Sequence, residues 1–229
     1  MRTQAIIFDF DGLIVDTETP TYQAWKEAFE RYSLELPLSI WSDCIGKGDE
    51  DNPLRYLEDS IGEPVDREKL IAATNVRRFE LVSDAPPLPG VVETIRAAHE
   101  RGYRLAIASS SPHGWVDPQL DRLGVTQFFE SILCEEDVAE TKPSPELFLL
   151  TLDSLQIMPE EAIVLEDSPN GVTAAKRANL FTIVVPNLIT KQLDVDGADI
   201  LLDSLADLSF DALMTEVDAA REKNRRGNS

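Results

Sequence analysis

The spacing of apolar and polar positions divides the chain into an opening strand, a helical stretch and a long alternating stretch. Ala5-Ile6-Ile7-Phe8 is an apolar run rich in β-branched and aromatic side chains, which predicts a buried strand. Residues 17–33 then carry Tyr22, Trp25, Ala28, Phe29 and Tyr32 at helical spacing, an aromatic stripe that reads as packing. Further helical periods follow at 38–45 after Pro37, at 51–61 and at 66–83, so residues 16–84 read as all helix. Pro86-Pro87-Leu88-Pro89-Gly90 breaks the pattern, because prolines end helices and stiffen a connection. Beyond it helices alternate with strands. Helices are expected at 91–101, 114–123, 145–156, 170–178 and 205–221, and strands at 103–108, 131–134, 162–165, 181–185 and, weakly, 199–202. The polar residues 221–229 are expected to fray.

Repeated strand–helix units predict an α/β fold, a Rossmann-like parallel sheet with helices on both faces. The opening strand belongs to that sheet, so residues 1–15 and 85–229 are expected to form the core and residues 16–84 an inserted helical cap. Inserted just past the first strand, the cap would sit over that strand's end.

Composition narrows the partners. With 229 residues the chain can bury roughly 70% of its unfolded surface, and 43% hydrophobic with 28% charged residues is ordinary for a globular protein. A net charge of −21 repels polyanions and argues against nucleic acid. An anion site would therefore need local cations or a metal. Cys44 and Cys134 have no metal-ligand spacing and read as free thiols. No apolar run approaches the ~18–20 residues of a membrane span, so no membrane partner and a cytoplasmic location are expected.

Polar groups stand where the strands end. Asp9 and Asp11 follow the first strand, and would lie ~7 Å apart on one side if the strand continued. Gly12 lets the backbone turn sharply there. The carboxyl ends of parallel strands are where α/β proteins place chemistry. Two acids that close call for a cation or a shared proton. Ser109-Ser110-Ser111-Pro112 offers hydroxyls and amides ahead of a helix, which suits an anion. Lys142 precedes the proline-started helix at 145–156. Glu166-Asp167-Ser168 closes the strand at 162–165, and adjacent buried acids are costly unless a cation or base compensates them.

Taken together, Asp9-Phe10-Asp11-Gly12, Ser109, Lys142-Pro143 and Glu166-Asp167-Ser168 resemble, in order, the four motifs of the haloacid-dehalogenase-like superfamily. Asp11-Gly12-Leu13-Ile14-Val15-Asp16-Thr17-Glu18 and Glu166-Asp167-Ser168-Pro169-Asn170-Gly171 resemble its β-phosphoglucomutase-like and phosphatase subgroup. The resemblance implies that Asp9 attacks phosphorus to form an aspartyl-phosphate. It implies that Asp11 protonates the leaving oxygen and then deprotonates water. Ser109, Ser110 and Lys142 would hold the phosphoryl oxygens. Mg²⁺ would be bound by Asp9, the Asp11 carbonyl and Asp167, with Glu166 in support. An acid at position 11 favours phosphate substrates, since dehalogenating relatives lack it.

The expected activity is thus a Mg²⁺-dependent phosphatase acting, as a monomer, on a small phosphorylated metabolite such as a sugar phosphate. The alternatives are a sugar-phosphate mutase and a non-catalytic binding module. The similar mutases carry a cap histidine where this chain has Thr21, and Asp49 and Glu50 stand near a position those mutases fill with a basic residue. Both differences favour the phosphatase. Thr21, Lys47, Arg77 and Arg78 are candidate cap contacts to substrate, and His113 is a further one. The loop Gly46-Lys47-Gly48 lacks the ending of a nucleotide-binding phosphate loop, and no Gly-x-Ser-x-Gly elbow marks a serine hydrolase.

Overall fold

In the computed structural model, which describes residues 2–42 and 51–227, six parallel strands form one sheet in the order β3-β2-β1-β4-β5-β6. They are β1 (Ala5–Phe8), β2 (Arg104–Ala108), β3 (Ser131–Leu133), β4 (Ala162–Glu166), β5 (Phe181–Val184) and β6 (Ile200–Leu201). The opening strand occupies the centre, with Phe8 in register with Ile107 of β2 and Leu165 of β4. Strand order reverses at that point, which opens a crevice beyond the strand ends. Among the described residues, no helix is long and apolar enough to cross a membrane.

Alternation within the strands builds two different faces. Ile6, Phe8, Leu105, Ile107, Ile163 and Leu165 point to one side, against α5 (Val91–Glu100), α6 (His113–Leu123) and α9 (Phe210–Gly227). Ala5, Ile7, Ala106, Ala108, Ala162 and Val164 point to the other, against α7 (Glu146–Ser154) and α8 (Pro169–Arg177). The second face is rich in alanine, and so are the facing positions Ala174, Ala175 and Ala178, so backbone approaches backbone closely there.

Helices α1 (Glu18–Glu30), α2 (Leu38–Ser42), α3 (Asp51–Ile61) and α4 (Arg67–Val82) form the inserted layer. Trp25, Ala28, Phe29, Trp41, Leu54, Leu57 and Leu70 make its separate apolar core, joined by Ile189 from the loop after β5. The sequence stripe thus packs inward at Trp25 and Phe29, while Tyr32 is exposed. The two chain segments leading to the insertion run side by side. Val15 bridges Pro87, and the Leu88 N–H donates to the Ile14 carbonyl at 2.8 Å. The loop at 46–50, with Lys47 and the neighbouring Cys44, lies outside the described residues.

The end of the chain differs from expectation. The last helix spans Phe210–Gly227, not 205–221 with a frayed tail. Ser209 starts it, its hydroxyl accepting from the Ala212 N–H at 3.3 Å and its carbonyl from the Leu213 N–H at 2.9 Å. Residues 205–206 instead turn against Gly90, where an added Cβ would lie 2.3 Å from the Ala206 nitrogen. At the other end Arg221 ties the helix to the sheet. It donates to the Glu160 and Ala162 carbonyls at 2.9 and 2.7 Å and lies over the Phe181 ring. Replacing Arg221 by Ala should cost about 1–3 kcal/mol in urea unfolding, two charged hydrogen bonds and a ring contact being lost. A change near zero would mean that the helix end is frayed in solution.

Candidate active site

Register alone assembles most of the site. One residue past Phe8, Asp9 stands beside Glu166 at the end of β4, and its N–H still donates to the Leu165 carbonyl at 3.0 Å. Ser109 leaves β2 on the other flank, its N–H held by the Leu133 carbonyl at 2.9 Å. β1 does not continue to Asp11, because Gly12 turns the chain with φ +79°. That turn is a tight fit: a Cβ on Gly12 would meet Asp167 Oδ2 at 2.3 Å and Asn187 Nδ2 at 2.5 Å.

Lys142 is the electrostatic hub. It arrives from the loop between β3 and α7 rather than from a strand end, and its side chain is 3% exposed. Its ammonium donates to Asp9 Oδ1 at 2.5 Å and Glu166 Oε1 at 2.7 Å, and lies over the Phe148 ring. Burial alone would lower the Lys142 pKa, but Asp9 and Glu166 outweigh it and hold the group charged. Glu166 is fully buried and receives three more donors on Oε2: the Asp167 and Ser168 N–H groups and the Ser168 hydroxyl, at 2.8, 2.9 and 3.0 Å. Its carboxylate lies against Gly171, where a Cβ would come within 1.7 Å. Asp167 accepts from Asn187 Nδ2 at 2.7 Å.

Three buried acids thus surround one ammonium that only Asp9 and Glu166 touch. Ligand oxygens of Asp9, Glu166 and Asp167 all lie within 4.8 Å of one another. Burial raises the Asp9 pKa, Lys142 opposing and Glu166 reinforcing, and burial with repulsion from Glu166 and Asp9 raises that of Asp167. A buried excess of negative charge in an all-oxygen donor set fits a hard divalent cation such as Mg²⁺.

Asp11 is half-exposed and stands apart from this cluster. Its Oδ1 accepts from the Trp115 indole N–H at 2.9 Å, and its Oδ2 lies 3.4 Å from the Ser109 hydroxyl. Ser109 is fully buried and also accepts from the Ser111 N–H, while the buried Ser110 hydroxyl has no hydrogen-bond partner. Beside them Glu18 is pushed up to about 8 by burial and by Asp11, with Arg78 opposing.

The cap candidates fare unequally. Thr21 donates its hydroxyl to the Thr17 carbonyl within its own helix. Arg77 is committed to Glu27 at 2.8 Å and Glu80 at 3.1 Å, whereas its neighbour Arg78 lies over Trp115, with the guanidinium carbon 4.5 Å from the ring centroid. His113 is held between Asp117 and Asp137, at 3.2 and 2.9 Å. Burial would lower its pKa, but hydrogen bonds to both acids raise it. Sequence reasoning missed Asn187 and Trp115. Asn187 follows the end of β5 by three residues and could have been found as another polar strand end. Trp115 carries no such signal.

The raised carboxyls set a sign for stability against pH. In the unfolded chain Asp9, Asp167 and Glu18 release their protons near the ordinary 3.8 and 4.5, but folding holds those protons on. Folding therefore takes up protons, so this contribution is complete below the unfolded values and declines as pH rises towards about 8. With a chelator present, thermal unfolding should occur at lower temperature near pH 8 than near pH 5, about the ends of that window. A rising midpoint across it would contradict the arrangement. Lys142→Ala, leaving the acids without their ammonium, should cost about 3–5 kcal/mol in denaturant unfolding.

Comparison with known proteins places this geometry. The sequence profile of the haloacid dehalogenase-like hydrolases matches residues 6–185. The Bacillus subtilis (strain 168) protein named "Putative phosphatase YhcW" is 38% identical over 216 residues, covering 94% of this chain and 98% of that one. The phosphorylated carbohydrates phosphatase of Thermotoga maritima is 30% identical, covering 79% and 83%. Among solved structures, a variant of CbbY from Rhodobacter sphaeroides in complex with xylulose-(1,5)bisphosphate superposes with a TM-score of 0.73 at 31% identity, covering 90% and 96%. Four motifs on one sheet edge and a family match along most of the chain agree: this protein belongs to the haloacid dehalogenase-like hydrolase family.

Proposed function

We propose that this protein is a Mg²⁺-dependent phosphatase that hydrolyses a small phosphorylated metabolite of the sugar-phosphate class through an aspartyl-phosphate on Asp9. The observation that carries the reading is the convergence of a buried acid cluster and its lysine with a separate acid, Asp11, at the centre of the sheet edge.

In this reading an Asp9 oxygen forms a bond to phosphorus as the ester P–O bond breaks, the bonding pair leaving with the substrate oxygen. Asp11 supplies the proton that this oxygen takes up. Water then attacks phosphorus, Asp11 accepts its proton, and the Asp9–phosphorus bond breaks to release phosphate. Splitting one displacement into two lets one carboxyl serve as acid and then as base. Ser109, Ser110 and Lys142 bind the phosphoryl oxygens. Asp9 and Asp167 would hold the Mg²⁺ together with the Asp11 carbonyl. Glu166, already saturated by donors, anchors Lys142 and the loop at 167–168 and would reach the ion through water. Bound there, the ion would neutralise charge on the phosphoryl group.

Residues 16–84 are proposed as the cap that shapes the substrate pocket. Thr21, whose hydroxyl is spent on the Thr17 carbonyl, offers no titrating base of the kind a mutase would use to shuttle a sugar proton. The similarity to a phosphorylated carbohydrates phosphatase and to a CbbY variant solved with a sugar bisphosphate supports the sugar-phosphate class.

Phosphate release from a panel of sugar, polyol and nucleoside phosphates tests the reading. Turnover should need added Mg²⁺ and vanish with a chelator, and Asp9→Asn should lose at least about 10³-fold in kcat. Wild-type turnover by Asp9→Asn would remove Asp9 as the nucleophile.

A further inference from the structure

Trp115 is more than a core side chain. It is 7% exposed, and its only polar atom, the indole N–H, is aimed at Asp11 Oδ1 at 2.9 Å. Arg78, from α4 in the inserted layer, lies over the same ring at 4.5 Å, and Phe79 meets it edge-on at 6.3 Å between centroids. The Arg78 Nε is buried and makes no hydrogen bond, and its guanidinium rests on the ring while also attracting Glu18. One indole thus touches the core's half-exposed acid with its edge and the helical insertion with its face.

We infer that Trp115 is a positioning residue for the leaving-group acid, and that Arg78 seats it, so Asp11 is fully oriented only with α4 over the sheet edge. The inference rests on the proposed role of Asp11. An indole N–H can only donate. Held on Oδ1, it leaves Oδ2, 3.4 Å from the Ser109 hydroxyl, as the oxygen that carries the transferable proton. As the ester P–O bond breaks and its electron pair stays on the substrate oxygen, the Oδ2 proton passes to that oxygen. A cation over the ring face draws electron density from the indole, which strengthens the N–H as a donor. Helix α4 thereby acts on the acid's carboxyl through the indole ring.

A purely structural tryptophan would affect all substrates alike; a positioning one would not. Nitrophenolate leaves without a proton, whereas a sugar alkoxide needs one. The test compares kcat on a hexose 6-phosphate and on p-nitrophenyl phosphate for full-length wild type and Trp115→Phe, which keeps a ring for Arg78 and removes the donor. General acids contribute about 10²- to 10⁴-fold, so the hexose-to-aryl kcat ratio should fall by about tenfold or more, with KM for the hexose phosphate little changed. Arg78→Met should lower the same ratio, and the double variant should lower it no further than Trp115→Phe alone. Equal losses on both substrates, or none, overturn the role of Trp115; additive losses overturn that of Arg78.

A second measurement does not depend on turnover or on Trp115→Phe being stable. Of the protein's three tryptophans, the indole N–H whose resonance moves upfield and exchanges faster in Asp11→Ala should be the one that also moves in Arg78→Met. No moving indole resonance in either variant overturns the inference. A wild type that releases phosphate from neither ester, yet shows the coupled resonance, would instead overturn the phosphatase reading.

Discussion

A buried ammonium between two buried carboxylates is the constraint on which this protein's site depends. Lys142 cannot sit in the sheet edge without Asp9 and Glu166, and those acids cannot sit there without it. Removing such charges from water is tolerable only when every one is paired, and here the pairing spans β1, β4 and the loop after β3. Three segments far apart in sequence are therefore held to one geometry by a single side chain. Asp167 adds a third buried carboxyl that burial holds protonated above the ordinary range, and a divalent cation would take the place of that proton.

The sheet explains why the charges can be gathered so tightly. β1 is the central strand, so the ends of both neighbours open beside Asp9. Small side chains on one face let α8 approach until Glu166 lies on Gly171, and the Ser168 hydroxyl caps that helix while donating to Glu166. Packing and electrostatics share the same atoms, which leaves little freedom for a substitution at Gly12 or Gly171.

Asp11 is the counterpoint. It lies outside the saturated cluster, half-exposed, touching a hydroxyl and an indole rather than a lysine. The two acids of one short motif thus stand in different surroundings: one buried and paired with a lysine, the other half-buried and held by an indole and a hydroxyl. The environment, not the residue type, separates them.

Much of this was legible in the residues. The strands at β1 and β4 are continuous apolar runs ended by acids, and such runs have few alternatives to a central parallel strand. Asp9, Ser109, Glu166 and Asp167 could be gathered from order and type, since parallel strands deliver their carboxyl ends to one edge, while Lys142 reaches that edge from a loop. Other features depended on distance in space. A helical period across 205–221 cannot reveal that Ser209 starts the helix, or that Arg221 fastens its far end to the sheet. Arg77 and Arg78 look equivalent in sequence, but neighbours on a helix point about 100° apart, so one pairs with Glu27 while the other reaches Trp115. Asn187 and Trp115 gain their meaning only from what they face. The two acids in the opening motif were determined by the sequence as chemistry; which would be buried with a lysine, and which held by an indole, was decided by tertiary structure, because desolvation and hydrogen-bond partners exist only once the chain has folded.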